Sequence, residues 1–263
     1  MPDTAPPVTV GIDLASQPER TAICWIDWTA RHPEVHFEPT LSDPDVVELI
    51  ARAAALGGVV GMDSPLGWPV EFVNLVHQHV HGELLSHFDT STAPDPPAAA
   101  ENWRDRLKYR LTDRELVQLG HLPLSVSTDK LAVVALRCAK ILDAPQLRPL
   151  RLDRSGRAGP VREVYPAASL RSWGLTRRGV SYKTRPDERR RIVAAIDELM
   201  RLPDSARVSC EQSHDHLDAL VAALSARAAG LGRTRGPDDD QLALARVEGW
   251  IHVPTGALAE LLS

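Results

Sequence analysis

The fold is decided by the stretch V-V-G-M-D at residues 59–63, which repeats the pattern of the stretch V-T-V-G-I-D at residues 8–13. Both are short runs of apolar and β-branched residues that end in an aspartate, a pattern that indicates a buried strand. Aspartate is unfavourable in a strand, and its charge needs a partner at a strand end. If the two strands are neighbours, Asp13 and Asp63 lie at one end of the sheet and can share a cation. The alternative for each is an aspartate that only caps the following turn.

The residues between these two strands predict an α/β fold. Runs at residues 20–28 and 35–37 are close enough in sequence to form antiparallel strands beside the first one. A helix is expected next, because Asp43 suits its N-cap and the pair Gly57-Gly58 suits its end. The predicted order is therefore strand, strand, strand, helix, strand.

The rest of the chain is predicted to be mostly helical, with loops between the helices. Residues 1–7 contain three prolines and are expected to be a disordered lead-in to a single domain over residues 8–263. Helices are expected from residue 69 and over 112–119, 128–142, 185–202 and 213–229, strands over 161–165 and 245–253, and irregular loops over 81–102 and 147–160.

A third acidic position lies in the late helix, where residues 213–220 read S-H-D-H-L-D-A-L. Asp215 and Asp218 are three residues apart, so they lie on one flank of the apolar stripe of this helix. Asp215 falls in the first turn, where a carboxylate stabilises the helix dipole without any further role. Asp218 lies deeper among alanines and leucines, so it is favoured as the functional residue, with Asp215 as the candidate fourth catalytic residue.

Composition excludes several classes of protein. The chain of 263 residues carries a net charge of −5, which argues against a high-affinity, non-specific DNA-binding protein. No apolar run reaches the roughly 20 residues that a membrane-spanning helix needs, so no membrane partner is expected. Three well-separated cysteines argue against a disulfide framework and favour a cytoplasmic location. Two arginine-rich stretches, at 148–162 and 177–191, are either local basic patches or solvated surface.

Five motifs, spread over most of the chain, carry a likeness to known proteins. They are V-G-M-D-S-P-L-G-W-P (60–69), Y-R-L-T-D (109–113), P-L-S-V-S-T-D (123–129), E-V-Y-P-A-A-S-L (163–170) and H-D-H-L-D-A-L (214–220). With the order of acids and elements, they resemble the RNase H superfamily, and within it the RuvC-type arrangement with a D-x-x-D on the last core helix. They are more closely similar to a family of predicted RNase-H-like nucleases, catalogued as domain of unknown function 429.

The resemblance implies an RNase-H-like mixed five-stranded sheet of order 3-2-1-4-5, flanked by helices, with loop and helical insertions. That order makes the strands ending in Asp13 and Asp63 neighbours and turns Asp218 towards them. It also implies a nuclease that hydrolyses phosphodiester bonds in DNA or RNA with two Mg²⁺ or Mn²⁺ ions, of which Asp13 bridges both. The residues that could orient ligands, water or substrate are Glu163, Tyr165, Arg110, Asp113 and Lys183, for which a salt bridge or turn contact is the alternative.

Two other functions remain open. The actin and sugar-kinase group shares this core and binds nucleotides through a phosphate hairpin rich in Gly, Ser and Thr. Residues 14–21, which follow the first strand, contain no glycine, and this argues against that group. The other alternative is a binding module that keeps the fold without turnover, with which the acidic net charge is compatible.

Overall fold

A mixed five-stranded sheet forms the centre of the computed structural model, which describes residues 5–39, 42–83, 103–177 and 179–262. The strands are β1 (Val8–Asp13), β2 (Ala22–Asp27), β3 (Glu34–Phe37), β4 (Val59–Asp63) and β5 (Val161–Glu163). Their spatial order is β3-β2-β1-β4-β5. The pairs on the β3 side are antiparallel, and those on the β5 side are parallel. The predicted RNase-H-like order 3-2-1-4-5 is confirmed.

Helices flank this sheet on both faces. They are α1 (Asp43–Ala55), α2 (Val70–Val80), α3 (Trp103–Lys108), α4 (Leu111–Gln118), α5 (Leu131–Leu142), α6 (Pro166–Ser172), α7 (Pro186–Met200), α8 (Asp204–Gln212), α9 (His214–Gly230) and α10 (Leu242–Glu248). A two-residue ladder joins β6 (Thr234–Arg235) to β7 (Val253–Pro254), and 3-10 turns lie at Pro18–Arg20, Pro145–Leu150 and Leu258–Leu262.

The two faces of the sheet bury different helices. Val10, Ile12 and Met62 point to one face, where they form an apolar core with Ile50 of α1 and Ile141 of α5. The other face packs against α6, α7, α8 and α9 in a second core. Because side chains alternate along a strand, the residues between those of the first core point to the second. Asp13 and Asp63 are among them.

Two glycines let α9 approach the sheet closely. Gly11 and Gly61 are paired across β1 and β4, and both lie under α9. A Cβ atom at Gly11 would lie 2.0 Å from the carbonyl oxygen of Ala219, and one at Gly61 2.3 Å from that of Ala222. Each glycine precedes an aspartate by two residues, so the aspartate faces α9 as well. The close approach therefore brings α9 over the acidic ends of both strands.

Several local predictions need correction. The N-cap of α1 is Ser42 and not Asp43, because Ser42 forms a capping box with Asp45, whose carboxylate accepts a hydrogen bond from the Ser42 amide at 3.0 Å. Residues 245–248 are helical and not part of a strand, since Ala245 and Glu248 are buried one helical turn apart. Only β7, and a single bridge from Ile251 to β5, remain of the predicted last strand.

Some predictions fall partly outside the described residues. Of the predicted loop over 81–102, only residues 81–83 are described, and of the predicted lead-in over 1–7 only residues 5–7. In that short part, the carbonyl of Pro6 accepts a hydrogen bond from Arg227, and the carbonyl of Pro7 accepts one from the amide of Trp28. No helix in the described part of the chain is long and apolar enough to cross a membrane.

Candidate metal centre

Three carboxylates converge at one end of the sheet. Asp13 and Asp63 are directly paired where β1 and β4 end, and Asp218 projects from α9, where it is fully buried. One oxygen from each carboxylate lies within 4.8 Å of the other two. Among the described residues, this is the one group of three or more His, Cys, Asp or Glu side chains close enough to hold a metal ion. We call it the Asp triad.

The Asp triad is electrostatically strained in the absence of a cation. Burial raises the pKa of Asp13 well above its usual value, and the charges of Asp63 and Asp218 raise it further. Burial, and then the charge of Asp218, raise the pKa of Asp63 to about 7. Removing water from three like charges at this separation penalises the ionised forms, so the group gains most from a cation that all three can bind.

Two neighbouring residues, Tyr182 and Lys183, hold Asp218 in place. The Tyr182 hydroxyl donates to Asp218 Oδ1 at 2.6 Å, and the Lys183 ammonium lies 2.7 Å from Asp218 Oδ2. Burial alone would lower the pKa of Lys183, but the charges of Asp218 and Asp63 outweigh it and raise that pKa. Burial and the charge of Asp218 raise the pKa of Tyr182, so its hydroxyl stays a donor.

Lys183 was a predicted candidate, whereas Tyr182 was missed. The two residues stand between helices, 36 and 35 positions before Asp218, and no sequence spacing rule links such distant residues. Only the fold brings them to the Asp triad. Their contribution leaves the charge unbalanced, since three carboxylates face one ammonium.

Asp215 lies beside the Asp triad and outside it. It occupies the first turn of α9, where the hydroxyl of the N-cap Ser213 accepts a hydrogen bond from its amide. Its carboxylate lies 2.8 Å from His214 Nδ1 and faces a cavity of about 280 Å³. Its charge still contributes to the raised pKa of Asp13, after burial, Asp63 and Asp218. The structure therefore brings three of the four predicted acids together and places the fourth next to them.

Three of the predicted orienting residues form a second buried cluster. Arg110 donates to both carboxylate oxygens of Glu163, at 2.8 and 2.7 Å, and to both oxygens of Asp113, at 3.0 Å each. All three side chains are about 2 % exposed. Glu163 also accepts a hydrogen bond from the Leu66 amide at 3.0 Å. These residues therefore fix the S-P-L-G-W loop that follows Asp63, and the charge of Glu163 makes a small contribution to the raised pKa of Asp63. We call them the Arg110 cluster.

Glu248 contacts the Arg110 cluster and was not predicted from the sequence. One of its carboxylate oxygens accepts from the Val70 amide at 2.8 Å and the other from the Leu111 amide at 2.7 Å, and its carbonyl oxygen accepts from Arg110 at 3.1 Å. It thus caps the starts of α2 and α4 together. Because residues 245–253 were expected to be a strand, no capping role could be foreseen for it.

Tyr165, the last predicted orienting residue, lies near the Asp triad. It is half-buried at the start of α6, and it lines a cavity together with Tyr182 and Lys183. Burial raises its pKa, and the charge of Asp63 raises it further, so its hydroxyl is a neutral group at the mouth of the site. This position suits contact with a bound molecule better than contact with a metal ion.

The fold and the site define an α/β protein with an RNase-H-like sheet order and three aspartates at the ends of its central strands and last long helix. The chain belongs to the family described as "Protein of unknown function (DUF429)", whose model matches residues 11–242. The matched range contains all three residues of the Asp triad and all of the Arg110 cluster. No curated protein and no solved structure matches the chain.

Proposed function

We propose that this protein is a divalent-metal-dependent nuclease in which Asp13, Asp63 and Asp218 hold Mg²⁺ or Mn²⁺. The observation that carries the proposal is the convergence of the three carboxylates within 4.8 Å. Grouping them costs stability, as the raised pKa values of Asp13 and Asp63 indicate. Such strain at a strand end is typical of functional sites, where a ligand relieves it.

The donor atoms fit a hard divalent cation. Carboxylate oxygens are the ligands that Mg²⁺ and Mn²⁺ prefer, and the triad carries two negative charges more than Lys183 balances when all its acids are ionised. A bound divalent cation would lower the pKa of a water molecule and stabilise negative charge on the leaving oxygen of a phosphodiester. The resemblance to the RNase H superfamily implies that two cations are bound at the Asp triad. Measuring the number of Mn²⁺ ions bound per chain distinguishes one cation from two.

The residues of the chain itself supply position and charge. Tyr182 and Lys183 engage the two oxygens of Asp218, so that carboxylate cannot rotate freely. The Lys183 side chain is 46 % exposed, so its ammonium can also meet a phosphate that approaches from solvent. The Arg110 cluster holds the loop after Asp63 through the hydrogen bond from the Leu66 amide to Glu163.

The proposal is tested by cleavage assays with the purified protein. Single-stranded, duplex, hybrid and branched DNA and RNA are incubated with the protein and Mg²⁺ or Mn²⁺. The variants are Asp13→Asn and Asp218→Asn. The control is Asp187→Asn, because the side chain of Asp187 is 92 % exposed. We expect cleavage by the wild type and the control, and a loss of at least about 100-fold in both triad variants. Metal binding without cleavage of any substrate would identify a non-catalytic binding module instead. Thermal stabilisation by ATP would identify a nucleotide-binding protein.

We also propose a cytoplasmic location. Cys24, Cys138 and Cys210 are free and buried. Burial raises the pKa of all three thiols, to about 12 for Cys138 and Cys210, so they remain unreactive and reduced. Fluorescence microscopy of a tagged protein tests the location, and export from the cell would contradict it.

A further inference from the structure

A groove leads away from the Asp triad on one side. It consists of two adjoining cavities of about 360 and 420 Å³, which share His121 and Arg171 in their walls. The first cavity begins at Tyr182 and Lys183, the two residues that contact Asp218. The second continues past α6 to the β6–β7 ladder, where Arg235 lines it. We call the two adjoining cavities together the α6 groove.

The α6 groove is basic, although the chain as a whole carries a net charge of −5. Its cationic lining residues are Lys183 and Arg177 in the first cavity, Arg171 in both cavities, and Arg235 in the second. Among the described residues, no aspartate or glutamate lines either cavity. The separate cavity next to Asp215 is lined by three acids, Glu19, Glu38 and Asp215, and by one arginine, Arg20. Charge therefore favours the approach of an anion from the α6 side only.

The arginines of the α6 groove are positioned to meet an anion. The Arg171 guanidinium donates to the carbonyl oxygen of Gly120 at 2.7 Å, which holds it at the junction of the two cavities. Arg177 lies 3.9 Å from Glu188, but this carboxylate is already bound by Arg191 at 2.6 Å. Arg177 is therefore only loosely paired, and its charge remains largely uncompensated.

Two rings offer apolar surface between these charges. The rings of His121 and Tyr165 lie edge to face, with their centroids 6.2 Å apart. Burial, and then the charge of Arg171, lower the pKa of His121, so its ring is neutral at neutral pH. A basic groove with aromatic side chains is the usual way in which proteins bind single-stranded nucleic acid, because the cations follow the phosphates and the rings stack on bases.

We infer that the α6 groove binds a single-stranded polynucleotide, with its phosphates along Arg171, Arg177 and Arg235 and one phosphodiester at the Asp triad. This inference rests on the proposed nuclease function for what happens at the triad, but the binding itself does not require cleavage. A single strand is favoured over a duplex because the rings of His121 and Tyr165 lie in the wall of the groove beside the cations. Unpaired bases can stack on such rings, whereas the bases of a duplex are already stacked on one another.

The test measures binding in the absence of cleavage. The full chain carrying Asp13→Asn is titrated into fluorescein-labelled oligothymidylate, oligouridylate and a DNA duplex, and Kd is measured by fluorescence anisotropy over a range of salt concentrations. Arg171→Gln and Arg235→Gln are each introduced singly into the chain that carries Asp13→Asn. The matched control is Arg20→Gln in the same background, in the cavity next to Asp215. We expect each groove variant to weaken single-strand binding about fivefold and to reduce its salt dependence by about one ion, with no change for Arg20→Gln.

Each outcome decides a separate point. The inference is overturned if neither single strand binds, if the duplex binds more tightly than both, or if Arg20→Gln weakens binding as much as the groove variants do. A difference between oligothymidylate and oligouridylate assigns the strand to DNA or RNA. If the groove variants lose binding but the wild type cleaves nothing with Mg²⁺, the groove stands and the nuclease proposal fails. If the wild type cleaves and neither groove variant changes Kd or KM, the nuclease stands and the groove fails.

Discussion

The Asp triad and the Arg110 cluster are two groups of buried acids near the same end of one sheet, and they are built in opposite ways. In the Arg110 cluster, each carboxylate accepts two hydrogen bonds from one guanidinium, with 2.7–3.0 Å between the heavy atoms. In the Asp triad, three carboxylates share one lysine and one tyrosine, and both of these engage Asp218. Within the described part of the chain, no hydrogen bond or ion pair of this kind reaches the carboxylate of Asp13 or Asp63. The difference separates acids that are paired with a cation of the fold from acids that could hold a metal ion.

The pKa values show the same contrast. Burial alone would lower the pKa of Arg110, but Asp113 and Glu163 reverse this and raise it, so the guanidinium stays charged. Burial also raises the pKa of Glu163, and Arg110 opposes that rise. At the Asp triad, the neighbours of Asp13 add to the effect of burial, since two of them are further carboxylates. In the first cluster the guanidinium binds every carboxylate oxygen, whereas in the second the like charges of Asp13, Asp63 and Asp218 reinforce one another.

Removing Arg110 should have the largest effect on stability. Arg110→Met leaves Asp113 and Glu163 buried without their cation, and we expect a loss of about 3–5 kcal/mol in the free energy of unfolding. Urea denaturation measures it. The control is Arg190→Met, because Arg190 forms an exposed ion pair with Asp187 that is worth less than about 1 kcal/mol. Equal losses in the two variants would show that the Arg110 cluster is not a structural element.

Displacing α9 tests whether the close approach of this helix forms the Asp triad. A Cβ atom added by Gly11→Ala meets the backbone of Ala219, which cannot rotate away as a side chain can. We expect a loss of about 3 kcal/mol together with weaker Mn²⁺ binding, measured by urea denaturation and calorimetric titration. Gly236→Ala, where a Cβ atom meets nothing within 4 Å, is the matched control. Mn²⁺ affinity that survives Gly11→Ala unchanged would contradict the role of α9.

Neutralising an acid of the Asp triad should stabilise the metal-free protein. Asp63→Asn removes a carboxylate whose pKa is raised to about 7, and we expect a gain of roughly 1–3 kcal/mol at pH 8 in a chelator. The melting temperature then rises by roughly 2–4 °C for each kcal/mol. With Mn²⁺ present the order should reverse, because only the wild type retains the full set of ligands. A variant that is less stable than the wild type in the chelator would show that Asp63 supports the fold.

The smallest effect is the slope of stability with pH, which one proton limits to about 1.4 kcal/mol per pH unit. Between pH 4 and 7 the folded protein retains a proton on Asp63, whose pKa is about 7, whereas the unfolded chain with its ordinary value of 3.8 has lost it. Stability in a chelator should therefore fall as the pH rises through this window, and the slope should be smaller in Asp63→Asn. Thermal denaturation at several pH values measures the slope. A slope that is the same in both proteins would exclude Asp63 as its source.

The strands and the two strand-end members of the Asp triad could be predicted from the sequence because the information is local, whereas the order of the strands was implied only by the family resemblance. Each of Asp13 and Asp63 ends a short apolar run, and their pairing follows from the strand order. Asp218 could be separated from Asp215 because the first turn of a helix has its own use for a carboxylate, and the structure places Asp215 beside His214.

The remaining residues depend on contacts between distant parts of the chain. Arg110 and Glu163 are 53 residues apart, and Glu248 accepts hydrogen bonds from amides more than 130 residues away. A local signal for the position of α9 was nevertheless present. Gly11 and Gly61 each precede a triad aspartate by two residues, and a glycine inside a strand often marks the close approach of another backbone.

The most direct test of the metal centre is a crystal structure of the protein soaked in Mn²⁺, with anomalous scattering used to locate the metal. We expect Mn²⁺ bound by carboxylate oxygens of Asp13, Asp63 and Asp218, and none at the Arg110 cluster, where the guanidinium already occupies the carboxylates. A structure at saturating Mn²⁺ with no anomalous peak at the Asp triad would contradict the account.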